Sequence, residues 1–358
     1  MLPESLECLG VLHSCCGNAV LGGRFPGGTG TRQAERPNLI VRKGSDMGNP
    51  APRIWPIGGG KGGTGKSFFT GSLGILLAKL GHRTLLVDLD LGAANLHTII
   101  GIPHVEKSLS DFIRKKASCL EETVVPTPVP DLYLISGAMN PLDIANLAHE
   151  QKGKILRNIT KLPYDSILLD LGAGTSFNTI DFFLLSDSGI FITTPEPTSI
   201  ENIYRLIRAV YFRKIRQILK AHSFKALAGE AQQRNEKATV SNPGLLLAMM
   251  KELDPEKGAL LERSLKAFSF KLAVNQLRKQ DNPLLGELIC RIVRKHLGLR
   301  IDFIGNVAFD ERVHNAVCKT SPFLALYPYT QTALDLRECC RPLLTADESS
   351  PAAQRIAE

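Results

Sequence analysis

The stretch Gly60-Lys61-Gly62-Gly63-Thr64-Gly65-Lys66-Ser67 constrains this chain more than any other. It fits G-x-x-x-x-G-K-[ST] and lies between a short apolar run that reads as a strand and a longer periodic run that reads as a helix. Glycines let such a backbone curl until its N–H groups point inward, and the following helix N-terminus adds a favourable dipole, so the loop is built for phosphate. Lys66 is then placed to reach β- and γ-phosphates, the Ser67 hydroxyl to ligate Mg²⁺, and Phe68 closes the binding set at the first helical turn. A second glycine cluster, Gly27-Gly28-Thr29-Gly30, lacks the following Lys-Ser and reads as a flexible loop.

From residue 53 onward the pattern of strand, loop and helix repeats. Strands are predicted over residues 54–57, 83–88, 132–136, 166–170, 189–194, 271–275 and 301–304. Helices are predicted over 66–80, 142–162, 177–185, 199–220, 284–297 and 311–318. Strands that read as unbroken apolar runs are buried on both faces, which implies an α/β fold: a doubly wound, mostly parallel sheet flanked by helices, with its ligand at the carboxyl ends of the strands. Residues 221–270 carry charged helical patterns and no strand, and read as a helical insertion within one domain spanning 53–344. Residues 1–52, rich in Gly, Pro, Asn and Ser, read as a disordered leader. Met47 stands just ahead of the first strand, so translation is expected to start there. Residues 345–358 read as a flexible tail.

Acidic residues close two of the expected strands. Asp88 and Asp90 follow the second, and Asp170 ends the fourth, just before Gly172 and Gly174. Carboxylates at strand ends facing a phosphate loop are placed to organise a metal shell and an attacking water, although Asp88 alone is also what a helix cap looks like, and Asp-x-Gly is also a common turn. Asn275 ends a later strand, where it either closes that strand through its backbone or lies beside the base; Asp310 either caps a helix or borders the same pocket.

Lys61 turns the motif into K-G-G-x-G-K-[ST], and on these residues the chain resembles the MinD/ParA family of deviant Walker A P-loop ATPases from about residue 53 to 344. The resemblance implies that Lys61 crosses a homodimer interface to the partner's nucleotide, that Asp90 positions water, and that Asp88 and Asp170 support Mg²⁺. It also implies that residues 172–174 act as a switch, and that Asn275 hydrogen-bonds adenine, so that the cofactors are ATP and Mg²⁺. The phrase DLDLGAANLHTIIGI is similar to the MinD and FlhG branch, where partition proteins usually carry D-x-D-P-Q-G. Residues 1–52 carry no D-Q-A-x-x-L-R, and residues 345–358 no amphipathic pattern, both departures from that branch. The function implied is a slow ATPase switch that dimerises with ATP and positions or regulates a partner protein. A DNA-partition ATPase and an ATP-dependent small-molecule synthase stay open as alternatives.

Composition narrows the rest. Eight cysteines include no C-x-x-C pair, which sets aside iron–sulfur chemistry at a dimer seam and suits a reducing cytoplasm. No apolar run approaches the roughly 20 residues needed to span a bilayer. A net charge of +8, and the run of basic residues from Arg205 to Lys225, leave a solvated face or docking to protein, DNA backbone or the inner membrane surface as readings.

Overall fold

The computed structural model of the chain describes residues 52–90, 94–137, 149–222 and 224–344. The expectations for the leader, the tail and the first turns of the helix predicted over 142–162 fall outside those residues.

Eight strands are described: β1 (Arg53–Gly59), β2 (Thr84–Leu89), β3 (Val125–Pro126), β4 (Leu132–Ile135), β5 (Ser166–Leu171), β6 (Ile190–Thr193), β7 (Phe270–Leu277) and β8 (Ile301–Ala308). They form one sheet in the order β3-β4-β2-β5-β1-β6-β7-β8, parallel throughout except for the two-residue edge strand β3. β2 and β5 are buried at every position, as a strand covered on both faces must be.

The sheet separates two apolar cores. On one face α1 (Lys66–Lys79), α2 (Leu96–Ile99), α12 (Phe323–Leu326) and α13 (Gln331–Leu344) meet Ile57, Leu86, Leu168 and Ile192. On the other face lie α4 (His149–Ile159), α5 (Phe177–Phe183), α6 (Pro197–Ala221) and α10 (Leu285–Leu297), packed on Leu85, Val87, Leu169 and Phe191. Short α3 (Leu109–Ile113) and α11 (Arg312–Cys318) complete the chain order. Side chains alternate along a strand, so the parity that sends Leu86 and Leu168 toward α1 also sends Asp88 and Asp170 there. Register reinforces it, since Asp88 pairs directly with Asp170 across β2 and β5, and Ile57 of β1 pairs with the same aspartate.

Helix α1 is buried on nearly every side, because the sheet lies under it and α13 over it. Between α6 and β7 the chain forms α7 (Lys225–Arg234), α8 (Pro243–Leu253) and α9 (Pro255–Lys266), the last packed on α6. Asn242 and Asp254 cap α8 and α9, each followed by a proline at the first helical position, where a missing N–H costs nothing.

Strand boundaries expected from sequence agree with those seen to within a few residues. The sequence reading missed β3 and the helices α2, α3, α12 and α13: the first is too short to show a period, and α13 lies after the last expected strand, where no alternation announces it. Four aromatic rings tie β6, β7 and α5 together: Phe183 stacks on Phe191 at 4.4 Å, Phe270 meets both rings at 5.6–5.7 Å, and Phe268 stacks on Phe270 at 5.5 Å. Replacing Phe191 by Ala should therefore lower stability by about 3–5 kcal/mol, read as a lower urea midpoint.

Candidate functional site

β1 ends at Gly59 and α1 begins at Lys66, leaving residues 60–65 as the connecting loop. Gly60 has no room for a side chain: a Cβ there would lie 2.3 Å from the carbonyl carbon of Asn202 in α6. Gly65 is left-handed, φ +77°, and a Cβ would meet the Asn275 amide at 2.2 Å. Around Gly62 and Gly63 nothing lies within 4 Å of such an atom, so the loop is open on that side. Phe69 donates the first helical bond, to the Gly65 carbonyl at 2.9 Å; the N–H groups before it are those a helix leaves for a ligand. Thr64 is fully buried with its Oγ1 unpartnered, and Lys66 is buried beneath the loop. The Phe68 ring packs edge-on against Phe323 at 5.5 Å, so this residue can offer the loop its backbone N–H but not its side chain.

Beside the start of α1 lie the paired aspartates, each 1% exposed. Asp88 accepts from the backbone N–H groups of Asp90 at 3.1 Å and Leu96 at 3.2 Å. Asp170 accepts from Thr70 Oγ1 at 3.3 Å, with the Ser67 hydroxyl near enough to favour its charged form, while its Oδ2 is buried without a partner. Burial pushes the Asp88 carboxyl well above the usual range, and the negative charge of Asp170 pushes it further. Burial likewise raises Asp170 to about 6, against the opposing pull of Ser67 and Lys66. Two buried carboxyls and a hydroxyl with an unmatched oxygen make a donor set that fits a hard divalent cation such as Mg²⁺.

Asp90 leaves the end of β2 toward the turn at Gly172, where a Cβ would sit 3.5 Å from its Oδ1. Asp90, Gly172, Ala173, Ser176, Asn178 and Thr179 line a cavity of about 190 Å³. The turn is tied back to the phosphate loop by Gly174 N–H donating to the Gly59 carbonyl at 3.0 Å. Lys61 lies half-exposed against the start of α6, its Nζ 3.6 Å from Glu196 and 3.4 Å from the Thr198 hydroxyl.

Asn275 reaches the site, but its Nδ2 donates to the Thr64 carbonyl at 2.9 Å. Asp310 turns its carboxylate onto the Arg312 guanidinium and backbone N–H, as a residue opening a helix does. The basic segment is partly neutralised from outside itself: Arg205 by Glu201, Arg213 by Asp181 and Lys214 by Asp187. Asp181 also binds the buried Lys152 at 2.5 Å, joining α4, α5 and α6 on the face opposite α1. Thr70, Glu196 and Gln276 went unnoticed in the sequence. Thr70 lies four residues past Lys66 on the same helix face, a spacing that could have found it; Glu196 and Gln276 carry no local signal.

Residues 53–222 match a family model described as an AAA domain. The chain is 30% identical over 183 residues to a septum site-determining MinD protein of Oltmannsiellopsis viridis, covering 51% of this chain and 56% of that protein. It is 28% identical over 164 residues to the antiactivator FleN of Pseudomonas aeruginosa, covering 45% and 58%. These alignments span less than two thirds of each relative. Among solved structures, MinD of Pyrococcus horikoshii complexed with Mg-ADP superposes with a TM-score of 0.56 at 19% identity, over 82% of this chain and 96% of that one. At such identity the likeness concerns the fold alone.

The raised carboxyl of Asp170 carries a sign that can be checked. An unfolded aspartate titrates near 3.9, so between about pH 4 and the folded value of about 6 the folded protein binds more protons than the unfolded chain. Stability of the metal-free protein therefore falls as pH rises through that window. Asp170→Asn should melt at a higher temperature than the unsubstituted protein at pH 7.5 without Mg²⁺, and the gap should close toward pH 4.

Proposed function

We propose that the chain is a member of the MinD/ParA family of P-loop ATPases, a reading supported by its family-model match and its MinD relatives, and that it is a nucleotide-driven switch that binds Mg-ATP, dimerises with it, hydrolyses it slowly and in doing so positions or regulates a partner. The observation that carries this reading is the pair of buried, opposed carboxylates beside Lys66 and Ser67 at the foot of an open glycine loop.

In this reading the N–H groups of residues 60–67 cradle the phosphates and Lys66 supplies the charge nearest the β- and γ-groups. Ser67, Asp88 and Asp170 would hold Mg²⁺. That ion would offset the excess negative charge of the two carboxylates and of the triphosphate. Asp90 orients the attacking water, and the turn at residues 172–174, tied to Gly59, reports whether the γ-phosphate is present. Asn275 favours adenine over guanine, because an amide oxygen accepts from the adenine amino group. Lys61 reaches across the dimer to the partner's nucleotide, exchanging its contacts with Glu196 and Thr198 for phosphate. Hydrolysis by a single chain is slow because its Lys61 ammonium is engaged by Glu196 and Thr198.

The similarity to MinD and FleN proteins supports a regulatory, spatially organising role, of the FlhG type, performed in the cytoplasm or at the inner face of the membrane. No described helix is long and apolar enough to cross a bilayer. A second reading, DNA partition, draws on the exposed Arg208, Arg216 and Lys220 of α6, which a phosphate backbone would suit. We further propose that residues 53–344 are the ATPase unit, flanked by the leader 1–52 and the tail 345–358, with the helices of 221–270 as its insertion.

Calorimetric titration with Mg-ATP is the direct test; absence of heat in the unsubstituted protein would sink the proposal. Asp90→Ala should retain ATP and accumulate as a dimer by light scattering, with ADP giving monomer. Lys61→Ala should lose the dimer while changing nucleotide affinity by no more than about threefold, the loss of one exposed charge contact.

A further inference from the structure

Gln276 adopts a backbone conformation out of the ordinary for its type. It lies within β7 at φ +59°, a left-handed setting that residues with a Cβ rarely accept, and no sequence signal accompanied it. The ladder between β7 and β8 shifts register at this point, between Val274 and Leu277. Successive strand residues normally face opposite sides of a sheet, and the bulge cancels that alternation. Asn275 and Gln276 consequently reach the same loop. Asn275 Nδ2 donates to the Thr64 carbonyl and Gln276 Nε2 to the Gly63 carbonyl, each at 2.9 Å.

These two carbonyls belong to consecutive peptide planes of the phosphate loop. A trans peptide is planar, with its C=O and the following N–H pointing in opposite directions. Drawing the Gly63 carbonyl toward β7 therefore aims the Thr64 N–H away from it, and drawing the Thr64 carbonyl does the same for the Gly65 N–H. Those N–H groups are the ones a phosphate would meet. Asn275 is wedged against Gly65 and buried, whereas Gly63 is left-handed at φ +78° with no atom within 4 Å of a would-be Cβ. The Gln276 amide braces the loop there on its open side.

We propose that Gln276 is a positioning residue for phosphate binding: its side-chain amide, presented by the bulge in β7, sets the Gly63–Thr64 peptide so that its N–H faces the ligand. This rests on the nucleotide reading given above and extends it from the loop to the strand that orients it. Gln276 touches no reacting atom and acts through the loop backbone.

The test is Mg-ADP titrated calorimetrically into the full chain and into Gln276→Gly and Gln276→Arg, with melting temperatures measured on the same samples. Glycine removes the donor and also relieves the left-handed backbone, so melting should hold or rise while affinity weakens about five- to tenfold. Arginine restores a donor of sufficient reach and should bind within about twofold of the unsubstituted protein. A bystander residue would give neither the split between stability and affinity nor the rescue. If the unsubstituted protein binds Mg-ADP and Gln276→Gly binds it equally well, the positioning role is wrong while the site stands. If the unsubstituted protein does not bind, the nucleotide reading fails and takes this inference with it.

Discussion

Two aspartates face each other across β2 and β5, almost wholly removed from water, and the rest of the site is arranged around that electrostatic cost. Their placement is a matter of parity and register: each lies two residues beyond a leucine that packs under α1, so each must project onto the α1 face. Two backbone N–H groups, two hydroxyls and Lys66 offset part of the repulsion. What is left unmatched, including the unpartnered Asp170 Oδ2, suits this corner of the molecule to a cation rather than to apolar packing.

The opposite face of the sheet supports a different kind of structure. There α4, α5 and α6 are joined through Lys152, Asp181 and Arg213, so the helix that follows the turn at residues 172–174 is anchored by ion pairs that meet at the nearly buried Asp181 carboxylate. That turn is thus held at two places, by Gly174 on the phosphate loop and by α5 on the far side. A change in the loop and a change in α5 would both be felt at Asp90 and the cavity beside it. The aromatic cluster around Phe191 is the rigid background against which such a movement could occur.

Much of the fold was legible because buried parallel strands are short, apolar and separated by glycine turns and helices of a different period. Residues 166–171 and 84–89 announce themselves in this way. Elements without such a signature escaped, such as β3 and α13, whose positions follow from what they cover. The basic run from Arg205 to Lys225 suggested an open cationic face, yet three of its cations are paired with acids that lie outside the segment. Local charge counting cannot see a partner supplied by another helix or by an earlier residue of the same one.

Taken alone, the sequence determined that a glycine loop joins a strand to a helix, that Lys66 and Ser67 stand at its end, and that acidic residues close two neighbouring strands, because these are contiguous patterns with a fixed period. Only the tertiary structure decided that Asp88 and Asp170 meet in register, that the Phe68 ring turns into the core, that Lys61 lies on Glu196, and that a bulge brings Asn275 and Gln276 together onto the loop. Contacts between residues more than 200 positions apart, as these last two are from Thr64 and Gly63, depend on how strands are ordered and registered, and no local pattern of side chains encodes that order.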